Sequence, residues 1–173
     1  CLLHDIGAIV KFDFGPLLQD KMQGLCPAAD LPHWIAVQEK IRARYGHEEH
    51  EATGNIIAEL GFTDALALFG DMGFSEMHRI LAAGNRTAMI AQYADMRVGP
   101  YGILPLEERV NEVIERYADV PSWKARVDES RTYLPLAREM ETRLFDGIQL
   151  QPEAIDNLTA APAVAALWEY ELT

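Results

Sequence analysis

Cysteine is scarce. The chain has two, Cys1 and Cys26, with no CxxC spacing and no multi-cysteine framework. A disulfide-stapled scaffold is thereby excluded, and the pair is expected to be reduced thiols of a cytoplasmic protein. No apolar run approaches the roughly 20 residues of a membrane-spanning helix, and no basic-plus-apolar signal peptide opens the chain. Basic residues are outnumbered: 15 Lys and Arg face 27 Asp and Glu, for a net charge of −12. That balance argues against a nucleic acid polymer or an anionic membrane as the main partner, because both need a basic footprint. It leaves room for a small charged substrate screened by a metal ion. Strand signals are nearly missing too. Ala8 to Phe14 alternates weakly, but Gly7 and Gly15-Pro16 bracket it as a loop.

What is present is one domain's worth of chain, 173 residues and 49% hydrophobic. Trp34, Val37, Ile41 and Tyr45 recur at helical spacing over Leu31 to Tyr45, with Asp30 as N-cap, Pro32 in the first turn and Gly46 as the stop. A second helix is expected over His47 to Leu60, ended by a left-handed Gly61. Shorter helices follow over Thr63 to Phe69 and Ser75 to Ala83. Asn85 caps a helix that runs to about Asp95, after which Val98-Gly-Pro-Tyr-Gly is turn chemistry. Leu106, Val110, Val113, Ile114 and Tyr117 form an amphipathic stripe. Ser122 caps a long pattern that Pro135 should kink or break and Gly147 closes, and the tail from Pro152 reads as one or two packing helices. The expected class is all-α: a core over 1–120, and an extension over 121–173 packed on the same domain.

The chemistry sits at Leu2-Leu3-His4-Asp5-Ile6-Gly7, where an imidazole and a carboxylate stand side by side after an apolar stretch. Two polar groups buried there need a shared partner, and a divalent metal is a natural one. Asp95 follows Ala88 and Ala91 on one helical face, where a carboxylate among small side chains also asks for a counter-charge. His47 and His50 stand three apart, which is neither the HExxH nor the HxxEH spacing, so a zinc protease is rejected. Of the two, His50 is preferred, because Gly54 and Ile57 continue its stripe. His33 and His47 read as surface residues. Lys11, Arg79, Arg86 and Arg97 are the basic residues near these motifs. Arg97 is the preferred phosphate contact, with Lys11 as a further one.

Taken together, LLHDIG and the tract QYADMRVGPYGILPLEERVNEVIERY resemble the second motif and the final-aspartate region of the HD superfamily. HEATGNIIAELG is similar to the stretch of HDIG-type members that carries a further histidine. The resemblance covers roughly the first two-thirds of the chain and fades after Tyr117. It implies an HD-type helical bundle in which His4, Asp5 and Asp95 bind a divalent metal (Fe, Mn, Zn, Ni or Mg). His50 would be an additional ligand or phosphate contact, and His78 the further histidine of two-metal members. Two departures matter. The family draws a first histidine from a helix preceding LLHDIG, so the chain, which opens Cys-Leu-Leu-His-Asp as if in mid-helix, is expected to lack an upstream segment. Ala8 also stands where many HDIG members carry lysine.

The activity so implied is hydrolysis of a phosphate ester, whether a phosphomonoester, a nucleotide or a dinucleoside polyphosphate. The metal would orient the phosphoryl group and acidify water, and Asp5 or a neighbouring carboxylate would accept the proton. The rivals are an HD-type module that senses a nucleotide or metal without catalysis, and a plain helical interaction domain. A homo-oligomer is left open.

Overall fold

The structure, a computed structural model, describes residues 3–15, 27–70, 72–119 and 124–169. Cys1, Leu2, Cys26, the expected cap Ser122 and its neighbour Trp123 lie outside the described residues. The chain divides into two compact units, Cys1–Asp71 and Met72–Thr173. Residues 121–173, the expected extension, lie in the second of these units.

In the first unit, a turn at residues 3–7 leads into a 3-10 helix, Ala8–Lys11, and later a short 3-10 turn, Ala28–Asp30, enters α1, Leu31–Tyr45. Asp30 occupies the N-cap position but makes no side-chain cap bond, and Gly46 ends α1 at φ 106°. The next helix, α2, is Glu49–Glu59, starting two residues later than its apolar pattern suggests. Glu48 is extended there, and Glu49 and Glu51 fill the first turn, where negative charge suits the helix dipole. α3 follows as Thr63–Gly70. α2 packs on α1, on α3 and on the Ala8–Lys11 segment. Val10, Ala52, Ile56 and Ile57 are buried, and truncating a residue such as Ile57 to Ala should cost about 2–5 kcal/mol.

The second unit opens with a 3-10 turn, Phe74–Glu76, leading into α4, Met77–Ala83. α5, Arg86–Asp95, is capped by Asn85, whose Oδ1 accepts from Ala88 N at 3.2 Å. A two-residue antiparallel pair, β1 Val98–Gly99 and β2 Gly102–Ile103, closes the turn that the sequence foreshadows. α6 is Leu106–Tyr117 and α7 is Lys124–Phe145. α7 continues through Pro135 rather than breaking. Beyond the proline, Ala137, Met140 and Leu144 are buried, and α7 packs on α4, α5 and α6, so tertiary packing outweighs the lost backbone bond. A 3-10 turn, Pro152–Ala154, precedes α8, Asn157–Leu167, none of whose residues is buried. The described residues are thus mostly helical, as the all-α reading expects. None of their helices is long and apolar enough to cross a membrane.

Candidate functional site

His4 and Asp5 lie in the turn ahead of the first 3-10 helix, not inside a helix. The turn closes on itself, with Ile6 N donating to Leu3 O and Ala8 N to Asp5 O. Two helices of the same unit then pin it. From α2, Thr53 Oγ1 accepts the buried bond from Gly7 N at 3.1 Å. From α1, Gln38 Nε2 donates to the carbonyls of Ile9 and Phe12, each at 2.7 Å, and Arg42 donates through two nitrogens to Val10 O at 3.0 and 2.7 Å. Gln38 is buried although it is polar, which is tolerable because its amide nitrogen is satisfied by those two carbonyls. Gly7 is required at the joint. A Cβ there would stand 2.5 Å from Thr53 N and 2.7 Å from its Oγ1.

Within this pinned segment four charged or titratable side chains converge. His4 Nε2 and Asp5 Oδ2 are 3.2 Å apart, with the imidazole 25% and the carboxylate 59% exposed. Lys11 Nζ donates to Glu49 Oε1 at 2.5 Å. The Asp5 carboxyl is held below its ordinary value of 3.8, chiefly by its hydrogen bond with His4. Partial burial opposes that shift, while the charges of His4 and Lys11 and a hydrogen bond with Glu49 add to it. Asp5 is therefore a carboxylate throughout the neutral range.

Glu49 is the residue that the sequence pattern does not single out. The preference for His50 requires its stripe to face the His-Asp turn. In the structure the α2 positions that meet the turn are Glu49 and Thr53, four apart, while His50 is exposed with its ring 5.2 Å from that of Phe69 on α3. A signal was available, since a lysine at the end of the loop and a glutamate opening the helix are complementary charges. Sequence alone does not pair two residues 38 positions apart.

In the second unit, Asp95 is the last residue of α5, as its sequence context suggests, and is half-buried. His78 lies exposed on α4. Arg97 differs from its expected role as a phosphate contact. It is buried, and its guanidinium donates to Leu104 O at 2.5 Å, Tyr93 Oη at 2.5 Å, Ile155 O at 3.0 Å and Pro152 O at 3.2 Å, with Glu141 3.6 Å away. With those donors engaged by the protein itself, Arg97 ties the segment after α7 to α5 and the hairpin. Tyr93 donates to Glu141 Oε2 at 2.5 Å, and burial first, then that carboxylate, pushes its phenol well above the usual range. Tyr93 and Arg97 also line a mainly apolar cavity of about 330 Å³ with Ile90, Ile103, Phe145 and Ile148; none of the expected metal ligands lines it.

Among the described residues, no group of three or more His, Cys, Asp or Glu side chains stands ready to hold a metal ion. The pair at His4 and Asp5 nevertheless has the right chemistry and spacing. Two donor atoms each about 2.0–2.2 Å from one ion lie roughly 3 Å from each other, which is the separation this nitrogen and oxygen have. Comparison of the chain with protein-family models, curated proteins and solved structures finds no match in any of the three.

Proposed function

We propose that the chain is an HD-type, metal-dependent phosphohydrolase that cleaves a phosphate ester: a phosphomonoester, a nucleotide or a dinucleoside polyphosphate. The observation that carries this reading is the His4–Asp5 pair, its nitrogen and oxygen at chelating distance on a turn that two helices pin, with the Lys11 ammonium nearby. His4 and Asp5 would hold the ion from the first unit's turn, with further ligands as the family resemblance implies. When bound, Fe, Mn, Zn, Ni or Mg would supply positive charge to a phosphoryl oxygen and acidify an attacking water.

The chain's own groups divide the remaining work. A carboxyl held below its ordinary value, as that of Asp5 is, suits a ligand better than a proton acceptor, because a base works best with a pKa near the working pH. Lys11, 37% exposed and near enough for its charge to help lower the Asp5 carboxyl, is the cation proposed to hold a non-bridging phosphate oxygen, the role that Arg97 is too fully engaged to take.

The test is a hydrolysis screen over those three ester classes with the full chain and added divalent metal. It is run on the parent, on Asp5→Asn and on Lys11→Met. Expected is turnover of at least one class, a loss of more than about 100-fold in Asp5→Asn, and a rise in KM in Lys11→Met. No turnover of any class, or full activity in Asp5→Asn, would sink the reading.

A further inference from the structure

We infer that Glu49 is an internal competitor for phosphate, a positioning residue whose carboxylate holds the Lys11 ammonium when no phosphoryl group is bound and so limits how tightly the site keeps inorganic phosphate. The inference rests on the reading of this turn as a phosphate-ester site, and it assigns the Lys11–Glu49 pair a part in product release.

The geometry supplies the argument. Lys11 and Glu49 meet at 2.5 Å, but they are placed unequally, the carboxylate 15% exposed and the ammonium-bearing side chain 37%. Glu49 is the first residue of α2, so its backbone is fixed by the helix. Lys11 is the last residue of a 3-10 turn whose neighbouring carbonyls are bonded to Gln38 and Arg42. What remains free to move is the four-carbon lysine stem. An anion arriving at the His4–Asp5 pair meets an ammonium already engaged by a carboxylate, and the two anions compete for one cation. Phosphate, with more charge and more acceptor oxygens, can win that contest, but its net affinity is reduced by what the ion pair is worth.

This role differs in sign from a merely structural one. If Glu49 only braced the turn, removing its charge would loosen Lys11 and weaken phosphate binding. If it competes, removing its charge frees Lys11 and tightens binding.

The experiment is a titration of the full chain, in Mg2+, with inorganic phosphate, followed by NMR. It compares the parent with Glu49→Gln, Glu49→Asp and Lys11→Met, each checked for parent-like melting. Expected is tightening of about fivefold in Glu49→Gln, the scale of one partly exposed ion pair. Glu49→Asp, whose shorter side chain reaches Lys11 less well, should tighten binding by less, and Lys11→Met should weaken it. Should Glu49→Gln fail to fold, Glu49→Asp carries the test. Unchanged or weaker binding in the Glu49 variants overturns the inference. If the parent still hydrolyses a phosphate ester, that failure belongs to Glu49 alone. If no ester is turned over and phosphate does not bind the parent, the underlying reading has failed as well.

Discussion

Gly7 fixes where the His4–Asp5 pair sits, because its amide bonds to Thr53 and its missing side chain lets the turn lie against the α2 backbone. Gly7→Ala forces a Cβ into Thr53 N, so it should lower stability by about 1–3 kcal/mol in chemical denaturation and also weaken metal retention. At the other buried polar knot, Tyr93→Phe removes the oxygen shared by Arg97 and Glu141. It should cost about 1–3 kcal/mol, since it strips a partner from two charged groups in a poorly solvated place. Unchanged denaturation midpoints would refute either account. Residue by residue, the sequence reveals what depends on near neighbours: the adjacent His4 and Asp5, and Asn85 with Ala88. It conceals what depends on distant backbone. Arg97 reads as a free cation in sequence because the carbonyls that occupy it, Pro152 and Ile155, come more than 50 residues later. Glu49 goes unnoticed beside His50 because neighbours on a helix point about 100° apart, and only the folded turn shows that Glu49 and Thr53 meet it.

Elements are more legible than residues, and the errors in reading them have local causes. α1 and α5 keep the bounds that their flanking Asp30, Gly46 and Asn85 mark, although Gln38 is the one residue of α1 that is buried, whereas α7 is not broken at Pro135. Pro135 still lacks an N–H for the carbonyl four residues back, so Pro135→Ala should stabilise the chain by about 1–3 kcal/mol, read as a higher denaturation midpoint. The start of α8 rests on a capping box in which Thr159 N donates to Asp156 Oδ1 at 2.8 Å and Asp156 N donates to Thr159 Oγ1 at 2.9 Å. The bond from Thr159 N first, and then one that Thr159 Oγ1 donates to Asp156 Oδ1 at 3.0 Å, hold the Asp156 carboxyl below its ordinary value of 3.8. Its folded value is lower than its unfolded one, so the cap is fully present above about pH 4 and is lost as the pH falls through the depressed value. Thr159 N–H should therefore be protected from exchange at neutral pH, relative to an open chain at the same pH, and lose that protection both in acid and in Asp156→Ala. Equal protection in the parent and the variant at neutral pH would contradict this.

At the scale of the whole molecule, composition points to the all-α class because strand signals are nearly absent, and the described residues add only the short β1–β2 pair. The division into units is not legible. A stretch such as α7 looks like an appendage in sequence, and only packing of Ala137, Met140 and Leu144 makes it core. Net charge bears on function at this scale as well, since a chain of −12 gains from a divalent cation and repels anionic substrates without one. The account therefore stands on whether the His4–Asp5 turn holds a metal. The measurement that tests it most directly is elemental analysis of the purified full chain beside Asp5→Asn and the exposed control His33→Asn, all with parent-like helical circular dichroism. The account predicts close to stoichiometric Fe, Mn, Zn, Ni or Mg in the parent, a large loss in Asp5→Asn, and no change in His33→Asn. Equal, substoichiometric metal in all three would contradict it.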